Sequence, residues 1–524
     1  MSTTRAVWIF LFVLTAIRLL LLNATQLSPD EAYYWMWAQR PALAYFSKGP
    51  GVAFVIRSST AIFGDTEFGV RFWSPFFAAG TSLLLYYLAQ RLFSSLAGFW
   101  TVIVLNVTPI FNLGSIVMTI DPLSIFFWVS AFYTFWLALE RSPAFSGWWP
   151  LTGLLIGLGF LCKYTNALEL VSVLLVLALV SRLRREFFRP NLYLLILAFA
   201  VCTIPPIVWN SQRAWITLAH LKSRGSLNET PGVHPFELLS FLGEHFVTYS
   251  PLFFFGLAWA TIASWKRARQ NFKVLYLLWF GLPVFIFYTL LSINKAAAPN
   301  WDGLAFLSLA ILAVSYWRER SASRGAARHW MNAAVLLGLF MTALLVALMT
   351  NNTGIDRRGR DPTDRMRGWR SFADAVEKVR HDFETRTGQR VFLIADERDR
   401  AAELAFYLSD KRTEGPEHPP VYIPESQDMV NQFSFWPRYD EFEPLPPNEQ
   451  REPDEIYTEE SGRNLFTGRT ALYLQLGKRT NLPRAIRGGF ERTQPIATIE
   501  VRAGRRLLRE VQVFACYDYR TMPL

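Results

Sequence analysis

Long apolar runs separated by short polar segments dominate the first 350 residues of the chain. An apolar helix of about 20 residues crosses the ~30 Å hydrocarbon core of a bilayer. Runs of suitable length predict membrane spans at residues 6–22, 69–90, 95–113, 122–139, 191–210, 249–264, 273–292, 302–317 and 331–349. The pattern therefore predicts a polytopic α-helical membrane protein.

The apolar run at residues 148–180 is too long for a single span. As one helix it would measure roughly 50 Å at 1.5 Å per residue, and polar residues around Lys163 and Glu169 interrupt it. Basic loops mark the cytoplasmic side of a membrane, and the arginine-rich loops here share one side only if this run crosses twice. We therefore predict about eleven spans, a cytoplasmic N-terminus and an extracytoplasmic C-terminus.

The pattern changes after residue 350, where residues 351–524 predict a soluble extracytoplasmic α/β domain. Helical periodicity or strand-like alternation predicts helices at 371–380 and 400–408, and strands at 390–395, 421–423, 471–476 and 511–515. The acidic, proline-rich residues 441–460 predict an exposed loop. The predicted organisation is a membrane domain at 1–350 followed by a soluble domain at 351–524.

Composition and charge agree with this division. The 524 residues are 52% hydrophobic and 15% aromatic, which is too apolar for a soluble protein. Residues 351–524 hold 28 Lys+Arg and 29 Asp+Glu, so the net charge of +11 comes entirely from residues 1–350. Basic loops beside spans explain that charge, and no nucleic-acid partner is expected. Cys162, Cys202 and Cys516 predict no disulfide framework, and residues 6–22 lack a cleavage signal and predict a retained span.

Two acidic sites lie at the predicted outer ends of spans. Ser28-Pro29-Asp30-Glu31 has the form of a helix capping box with proline at the first helical position. Thr119 and Asp121 have the form of a helix N-cap. Each site is open to both a capping and a catalytic interpretation. Because adjacent helical residues point about 100° apart, we expect Asp30 to face a reacting atom, with Glu31 as a structural cap or second acid.

Several cations are predicted on the same outer face. These are Lys48 after an aromatic pair, Lys163 at the break of the doubled run, Lys295 in a loop, and Arg18 about one turn inside the first span. Each has an ordinary alternative, because interfacial lysines and arginines extend their charge to the membrane surface, and Lys163 can simply mark the bend. An intramembrane cation is nonetheless a functional candidate.

One carboxylate among several cations fits the displacement of a lipid phosphate from a sugar. A phosphate is a weak base and leaves without a general acid, but its departure needs positive charge. The incoming hydroxyl needs one carboxylate as general base, unlike the paired carboxylates of glycoside hydrolysis. Attack opposite the phosphate inverts the anomeric centre. The expected catalytic residues are Asp30 and Asp121, and the expected donor-binding cations are Lys48, Lys163, Lys295 and Arg18.

These residues resemble the polyprenyl-phosphate-sugar-dependent glycosyltransferases with the GT-C membrane fold, especially bacterial relatives of the protein O-mannosyltransferases and the lipid A aminoarabinose transferase. The resemblance rests on Asp30–Tyr34, Tyr45–Pro50, Thr119–Pro122, Gly159–Thr165, Pro299–Trp301, Asp361–Thr363, Gly368-Trp369, Glu403–Leu408, Asn431-Gln432 and Trp436. It implies that Asp30 is the base and that Tyr45 and Lys48 lie near the lipid phosphate.

Two positions depart from the pattern of the aminoarabinose transferase. Ser47 stands where that enzyme has an acid before its lysine, and Tyr33 stands where it has an arginine. These departures leave its metal and phosphate contacts open here. The sequence identifies no cofactor, and a divalent cation stays open as an alternative.

The sequence as a whole predicts a glycosyltransferase of the bacterial inner membrane, with its C-terminal domain in the periplasm. It would move a hexosyl, pentosyl or mannosyl group from an undecaprenyl- or dolichyl-type monophosphate carrier to a hydroxyl acceptor on an envelope lipid, glycan or protein. The aromatic segment 32–37 is expected at the membrane interface. Two other classes stay open, namely a lipid or sugar transporter or flippase, and a membrane-anchored binding or sensor protein in which Asp30 is only a cap.

Overall fold

The computed structural model describes residues 2–225, 232–294, 297–298, 300–350, 362–441, 464–477 and 481–520. The first helices in chain order are α1 (Thr3–Leu21), α2 (Pro29–Gln39), α3 (Gly51–Phe63), α4 (Glu67–Arg71), α5 (Ser74–Leu92), α6 (Ser95–Asn106), α7 (Pro109–Gly114), α8 (Ile120–Arg141), α9 (Trp148–Cys162), α10 (Leu168–Leu179) and α11 (Pro190–Ser211). They are followed by α12 (Ile216–Arg224), α13 (Pro235–Tyr249), α14 (Pro251–Ser264), α15 (Phe272–Asn294), α16 (Gly303–Ser321), α17 (Gly325–Met349), α18 (Trp369–Thr387), α19 (Arg398–Tyr407) and α20 (Arg484–Gly489). The strands are β1 (Phe392–Ala395), β2 (Ala471–Leu476), β3 (Phe490–Ala503) and β4 (Arg506–Tyr519).

Contacts divide the chain into two compact units. The first consists of Met1–Ala24 with Pro41–Thr353, and the second of Thr25–Arg40 with Gly354–Leu524. Helix α2, which carries Asp30, thus groups with the C-terminal residues. The sequence assigned it to the membrane domain at 1–350, and that functional division remains a prediction.

The first unit is a bundle of apolar helices. Within its described residues, five helices are long and apolar enough to cross a membrane, namely α1, α8, α11, α15 and α17. Two bent helix pairs, Tyr164–Leu179 with Ser181–Phe188 and α13 with α14, raise this number to as many as seven. The polytopic helical class is confirmed, whereas the figure of eleven spans stays a prediction. One reason for the lower number is that the predicted span at 95–113 is divided between α6 and α7.

The run at 148–180 is broken at Lys163, as predicted. Helix α9 ends at Cys162, and Lys163 has extended backbone angles, with φ −146° and ψ 116°. The chain then forms a 3-10 turn at Tyr164–Ala167 and continues into α10. The break places a lysine side chain at the end of an apolar helix.

Helix α8 lies at the centre of the first unit. The most apolar stretch of α8 is 72% buried, whereas the corresponding stretches of α1 and α17 are only 17% and 6% buried. Its Phe132 stacks on Tyr276 of α15 with the ring centroids 5.0 Å apart. It also packs against α5 and α9. The exposed apolar surface of the peripheral helices is typical of a membrane-facing surface.

The second unit is built on a four-stranded sheet of order β1-β2-β4-β3. Strands β1 and β2 are parallel, and the β2–β4 and β3–β4 pairs are antiparallel. The α/β class of this region is confirmed, as are the strands at 390–395, 471–476 and 511–515. The helices at 371–380 and 400–408 correspond to α18 and α19.

Two differences from the predicted strands have physical reasons. Residues 421–423 form only an isolated parallel bridge, in which Tyr422 pairs with Ile394, so the predicted strand there is wrong. Strand β3 was not predicted, because Pro495 and several charged residues interrupt its pattern. Pro495 lies beside a β-bulge on an edge strand, where a missing backbone N–H is tolerated. Of the predicted loop at 441–460, only residue 441 is among the described residues.

Candidate active site

Glu31 closes a capping box at the start of α2, as the sequence predicted. The backbone N–H of Ser28 donates to Oε2 of Glu31 at 2.9 Å, while the Ser28 side chain accepts from the backbone N–H of Glu31. Pro29 occupies the first helical position, where its missing N–H costs nothing. Glu31 has no exposed surface. Its carboxylate therefore serves the helix terminus.

Asp30, one residue earlier, points elsewhere. Its side chain is 46% exposed, and its Oδ1 lies 3.3 Å from Nη2 of Arg398, a residue of α19. The same guanidinium donates from Nε to Asp399 at 3.0 Å and lies over the ring of Tyr33 at 4.8 Å. Because the Asp30 pair is partly exposed, it contributes at most about 1 kcal/mol to stability. Its main effect is on the orientation of the Asp30 carboxylate.

Arg398 remains a cation in this setting. Burial lowers its pKa, but the neighbouring Tyr33 and the two carboxylates outweigh that effect, and the pKa is raised. Tyr33 is itself buried, and burial raises its pKa to about 12. The phenol therefore stays neutral, and its oxygen accepts from the backbone N–H of Gln432 at 2.6 Å.

The aromatic residues of α2 pack inside the second unit. Tyr33 stacks on Phe433 with the centroids 6.2 Å apart, and Trp35 meets Phe406 edge-on at 5.0 Å. No ring of the segment 32–37 is more than 8% exposed. Their predicted location at the membrane interface stays a prediction. Their packing holds the start of α2, and hence Asp30, against α19.

A second cluster of predicted residues lies in the first unit. Nζ of Lys163 lies 2.9 Å from Oδ1 of Asp121, and the two side chains are 8% and 22% exposed. Oδ2 of Asp121 accepts from Nδ2 of Asn300 at 2.8 Å. Thr119 is the N-cap of α8, as predicted, since its hydroxyl accepts from the backbone N–H of Asp121. The Asp121 carboxylate is therefore bound to Lys163 and Asn300.

The loop that carries Tyr45 and Lys48 packs on the end of α9. Backbone hydrogen bonds join the two residues in a turn, from Tyr45 N to Lys48 O at 2.9 Å and from Lys48 N to Tyr45 O at 3.3 Å. A Cβ on Gly49 would lie 2.2 Å from the carbonyl oxygen of Leu161. Glycine is therefore required for this close approach. The contact brings the loop to the helix end that precedes Lys163.

Arg18 is buried instead of extending its charge outwards. It is 2% exposed, and its Nη2 donates to the side-chain oxygens of Asn106 at 2.9 Å and Asn112 at 2.8 Å. Its Nε and Nη1 have no hydrogen-bond partner in the described part of the chain. The alternative in which Arg18 reaches the membrane surface is wrong. Lys295 lies outside the described residues.

A buried His245–Asp302 pair was not found from the sequence. Nε2 of His245 lies 3.0 Å and 3.2 Å from the two carboxylate oxygens of Asp302, and Nδ1 lies 2.6 Å from the carbonyl oxygen of Phe241. Neither residue has exposed surface. Because each ring nitrogen of His245 faces an oxygen acceptor, either both nitrogens carry a proton or the Asp302 carboxyl group is protonated and donates to Nε2. Only the position of Asp302 before an apolar run hinted at this pair, and that pattern also fits a helix cap.

The arrangement of the described His, Cys, Asp and Glu side chains gives no support for a metal centre. No group of three or more His, Cys, Asp or Glu side chains with metal-binding geometry is found among the described residues. The carboxylates of the two clusters are instead paired with Arg398 and Lys163. We therefore assign no residue to a divalent cation.

Comparisons with known proteins agree with this architecture. Residues 47–209 match the family model described as dolichyl-phosphate-mannose-protein mannosyltransferase. The lipid A galacturonosyltransferase RgtD of Rhizobium johnstonii is 28% identical over 58% of this chain and 63% of its own. The undecaprenyl phosphate-alpha-4-amino-4-deoxy-L-arabinose arabinosyl transferase of Serratia proteamaculans is 26% identical over 62% of this chain and 61% of its own. The matches thus span about three-fifths of the length of these relatives.

A solved structure shares the fold along almost the whole chain. ArnT from Cupriavidus metallidurans bound to undecaprenyl phosphate superposes with a TM-score of 0.64, covering 98% of both chains at 16% identity. Its apo state gives a TM-score of 0.60 and 97% coverage. The fold is therefore that of a polytopic GT-C membrane protein with a C-terminal sheet domain, as predicted. The chain is an integral inner-membrane protein, and its predicted resemblance to the polyprenyl-phosphate-dependent sugar transferases is confirmed.

Proposed function

We propose that this chain is a membrane glycosyltransferase that moves a sugar from an undecaprenyl-type monophosphate carrier to a hydroxyl group of an envelope lipid. The observation that carries the proposal is the different environment of two adjacent carboxylates. Glu31 is fully buried in a capping box, whereas the Asp30 side chain is nearly half exposed beside Arg398. A carboxylate that solvent reaches, and that the helix does not need as a cap, is available to a substrate.

Asp30 acts as the general base in this proposal. The acceptor oxygen attacks the anomeric carbon, its proton passes to the Asp30 carboxylate, and the bond from carbon to phosphate oxygen breaks. The electron pair of that bond leaves with the lipid phosphate, so no general acid is needed. One-step displacement from the opposite face inverts the anomeric centre. A positioned base of this kind accelerates a reaction by about 10²–10⁴-fold.

Arg398 has a positioning role beside the base. It contacts Asp30 at a longer distance than Asp399, and its stacking on Tyr33 fixes the plane of the guanidinium. An arginine offers several donors in a fixed arrangement. It can therefore hold one oxygen of Asp30 while the other accepts the proton.

Residues of the first unit bind the lipid phosphate in this proposal. The candidates are Tyr45, Lys48, Lys163, Lys295 and Arg18. Lys163 has three N–H donors, of which Asp121 takes one at 2.9 Å and the carbonyl oxygen of Asn300 is a distant acceptor at 3.5 Å. Asp121 then serves to position the ammonium group. Arg18 retains two donor nitrogens, Nε and Nη1, without partners among the described residues.

The relatives suggest the chemical class of the substrates. One is named for lipid A and others for undecaprenyl phosphate-linked aminoarabinose, so we propose an undecaprenyl phosphate donor and a glycolipid acceptor of the lipid A type. The surplus of basic loops on one side supports a cytoplasmic N-terminus. In that orientation the C-terminal unit is periplasmic and transfer takes place at the outer face.

Mass spectrometry of envelope lipids from cells with and without the protein tests the function. We expect one glycolipid to lose a single sugar residue when the protein is absent, and to regain it when the wild-type chain is restored. A flippase would change the distribution of a carrier lipid across the membrane but leave a purified donor and acceptor unreacted. Product formation by the purified chain would exclude that alternative, and its absence with every undecaprenyl-linked donor present in the cells would contradict the proposal.

A further inference from the structure

A basic elbow follows α10 at the opposite end of that helix from Lys163. The residues Ser181–Phe188, which we call the elbow, form a 3-10 helix bent by 118° from the helical segment Tyr164–Leu179. Leu183 and Glu186 are buried, whereas Arg182, Arg184 and Arg185 are exposed. A short helix that buries a leucine and exposes basic side chains, lying across the end of a span, is typical of a membrane surface.

The elbow is fixed in place by its own hydrogen bonds. Glu186 accepts from the hydroxyl of Ser142 at 2.5 Å and from the amide of Asn191 at 3.3 Å, and it is paired with Arg189. Arg184 donates to the carbonyl oxygen of Ala178 at 2.8 Å, at the end of α10. The elbow is thus held to the ends of α8, α10 and α11.

A cavity of about 470 Å³ opens beside this elbow. Its walls come from the end of α8, the elbow and the start of α15, with Trp136, Glu140, Arg182, Gln270, Phe272 and Lys273 among the lining residues. That volume lies within the ~300–1,000 Å³ typical of small-molecule sites. Aromatic rings beside basic side chains are also typical of the headgroup level of a membrane.

The charges that line the cavity leave one cation available. Glu140 already accepts from Trp136 at 2.7 Å and from Arg91 at 2.6 Å, and Lys273 donates to the carbonyl oxygen of Leu92. The guanidinium of Arg182 lies over the ring of Phe272 at 5.0 Å. It has no hydrogen bond or ion pair to any residue that the structure describes.

We propose that this cavity binds the phosphodiester headgroup of an anionic glycerophospholipid. Arg182 would donate two N–H groups to the phosphate oxygens, since its planar fork matches that geometry. Lys273 adds a second positive charge, and Gln270 offers an amide for the polar part of the headgroup. Phe188 is 89% exposed at the end of the elbow, where its ring would contact the acyl chains. Basic pockets between spans at a membrane surface are known to bind anionic lipid headgroups.

Native mass spectrometry of the full chain in neutral detergent tests this site. Phosphatidylglycerol or phosphatidylcholine is added at equal concentration, and the number of retained lipid molecules is compared for wild type, Arg182→Gln and Arg185→Gln. Arg185 is the matched control, because it is an exposed elbow arginine that does not line the cavity. We expect wild type and Arg185→Gln to retain phosphatidylglycerol over phosphatidylcholine, and Arg182→Gln to bind it about ten-fold more weakly, as loss of a charge-assisted hydrogen bond implies.

Three results would overturn the proposal. Equal losses in Arg182→Gln and Arg185→Gln would mean that only diffuse positive charge attracts the lipid. Unchanged binding in Arg182→Gln, with the variant folded by its thermal unfolding midpoint, would exclude the cavity. Displacement of the lipid by millimolar inorganic phosphate would identify a phosphate site instead of a lipid headgroup site. If Arg182→Gln failed to fold, Arg182→Lys, which keeps the charge but loses the fork, should still show reduced retention.

Discussion

At the scale of single residues, Asp30 and Glu31 show how neighbouring carboxylates acquire different roles. The capping box could be read from Ser28, Pro29 and Glu31, because its residue spacing is local. The ion pair between Asp30 and Arg398 could not, because 368 positions separate the two residues. A contact of that kind depends on the packing of α2 against α19, which no local sequence pattern predicts.

Replacement of Glu31 tests its structural role. Glu31→Ala removes the acceptor for the Ser28 N–H and leaves space in a buried site, so we expect a loss of at least about 1–2 kcal/mol in the free energy of unfolding. Thermal unfolding of the full chain in detergent measures this. Asp30→Ala is the control on the same helical turn, and we expect a smaller change, at most the contribution of about 1 kcal/mol from its partly exposed ion pair. Equal losses in both variants would contradict the assignment of Glu31 as the cap.

Replacement of Arg398 tests its positioning role. Arg398→Lys keeps the charge but cannot hold Asp30 and Asp399 at once, so we expect kcat to fall by about ten-fold while KM for the lipid donor changes little. Arg398→Ala should lower kcat further. The matched control is Arg502→Lys, which alters another partly exposed arginine–carboxylate pair in the same unit. A change confined to KM would mean that Arg398 binds substrate instead of orienting the base.

At the scale of elements, the break after α9 and the glycine contact beside it position the residues that are predicted to bind the lipid phosphate. The polar interruption at Lys163 was visible in an otherwise apolar run, so the break could be predicted. The packing of the loop at residues 45–51 against Leu161 and Cys162 could not, because a glycine's need for space depends on what lies opposite it. Strand β3 escaped prediction for a related reason, since an edge position and a bulge allow residues that a central strand excludes.

Gly49→Ala tests that contact. The new Cβ would lie 2.2 Å from the Leu161 carbonyl oxygen, which belongs to a helix backbone, so the loop with Lys48 must shift. Overpacking of this kind costs about 1–3 kcal/mol, and we expect both a lower unfolding midpoint and weaker retention of undecaprenyl phosphate. Gly147→Ala is the control, because a Cβ there meets no atom within 4 Å. Wild-type behaviour of both variants would show that the loop does not need this approach.

At the scale of the whole molecule, the chain combines a helical membrane unit with a sheet-containing unit that includes α2. The membrane class and the α/β class followed from hydropathy and periodicity, because both are statistical properties of long segments. The grouping of Thr25–Arg40 with the C-terminal residues did not follow. Contacts between distant segments, and not their position in the sequence, determine such a grouping.

The pH dependence of stability reports on a buried carboxyl group in the second unit. Burial, together with the nearby Asp440, raises the pKa of Glu425 to about 9, from 4.5 in an unfolded chain, although Arg438 opposes this. The folded protein therefore holds a proton that the unfolded chain releases. The stabilisation that this proton contributes to the folded protein is complete below about pH 4.5 and is lost as the pH rises towards 9.

We expect the thermal unfolding midpoint of the full chain to decrease as the pH is raised from 5 to 9, which is about the interval that this pKa shift defines. Glu425→Gln should make this decrease shallower. The control is Glu500→Gln, at a partly exposed side chain of the same unit, which should follow the wild-type profile. An unchanged slope in Glu425→Gln would show that Glu425 is ionised in the folded protein.

The central claim is that Asp30 is the general base of sugar transfer. Its most direct test is complementation of cells that lack the protein with wild type, Asp30→Asn or Asp428→Asn, followed by mass spectrometry of the modified glycolipid. Asp428 is an exposed aspartate of the same unit and undergoes the same chemical change. We predict that wild type and Asp428→Asn restore the sugar, whereas Asp30→Asn, present in the membrane at the same level, lowers its rate of transfer by about 10²–10⁴-fold. Restoration by Asp30→Asn at the wild-type rate would contradict the account.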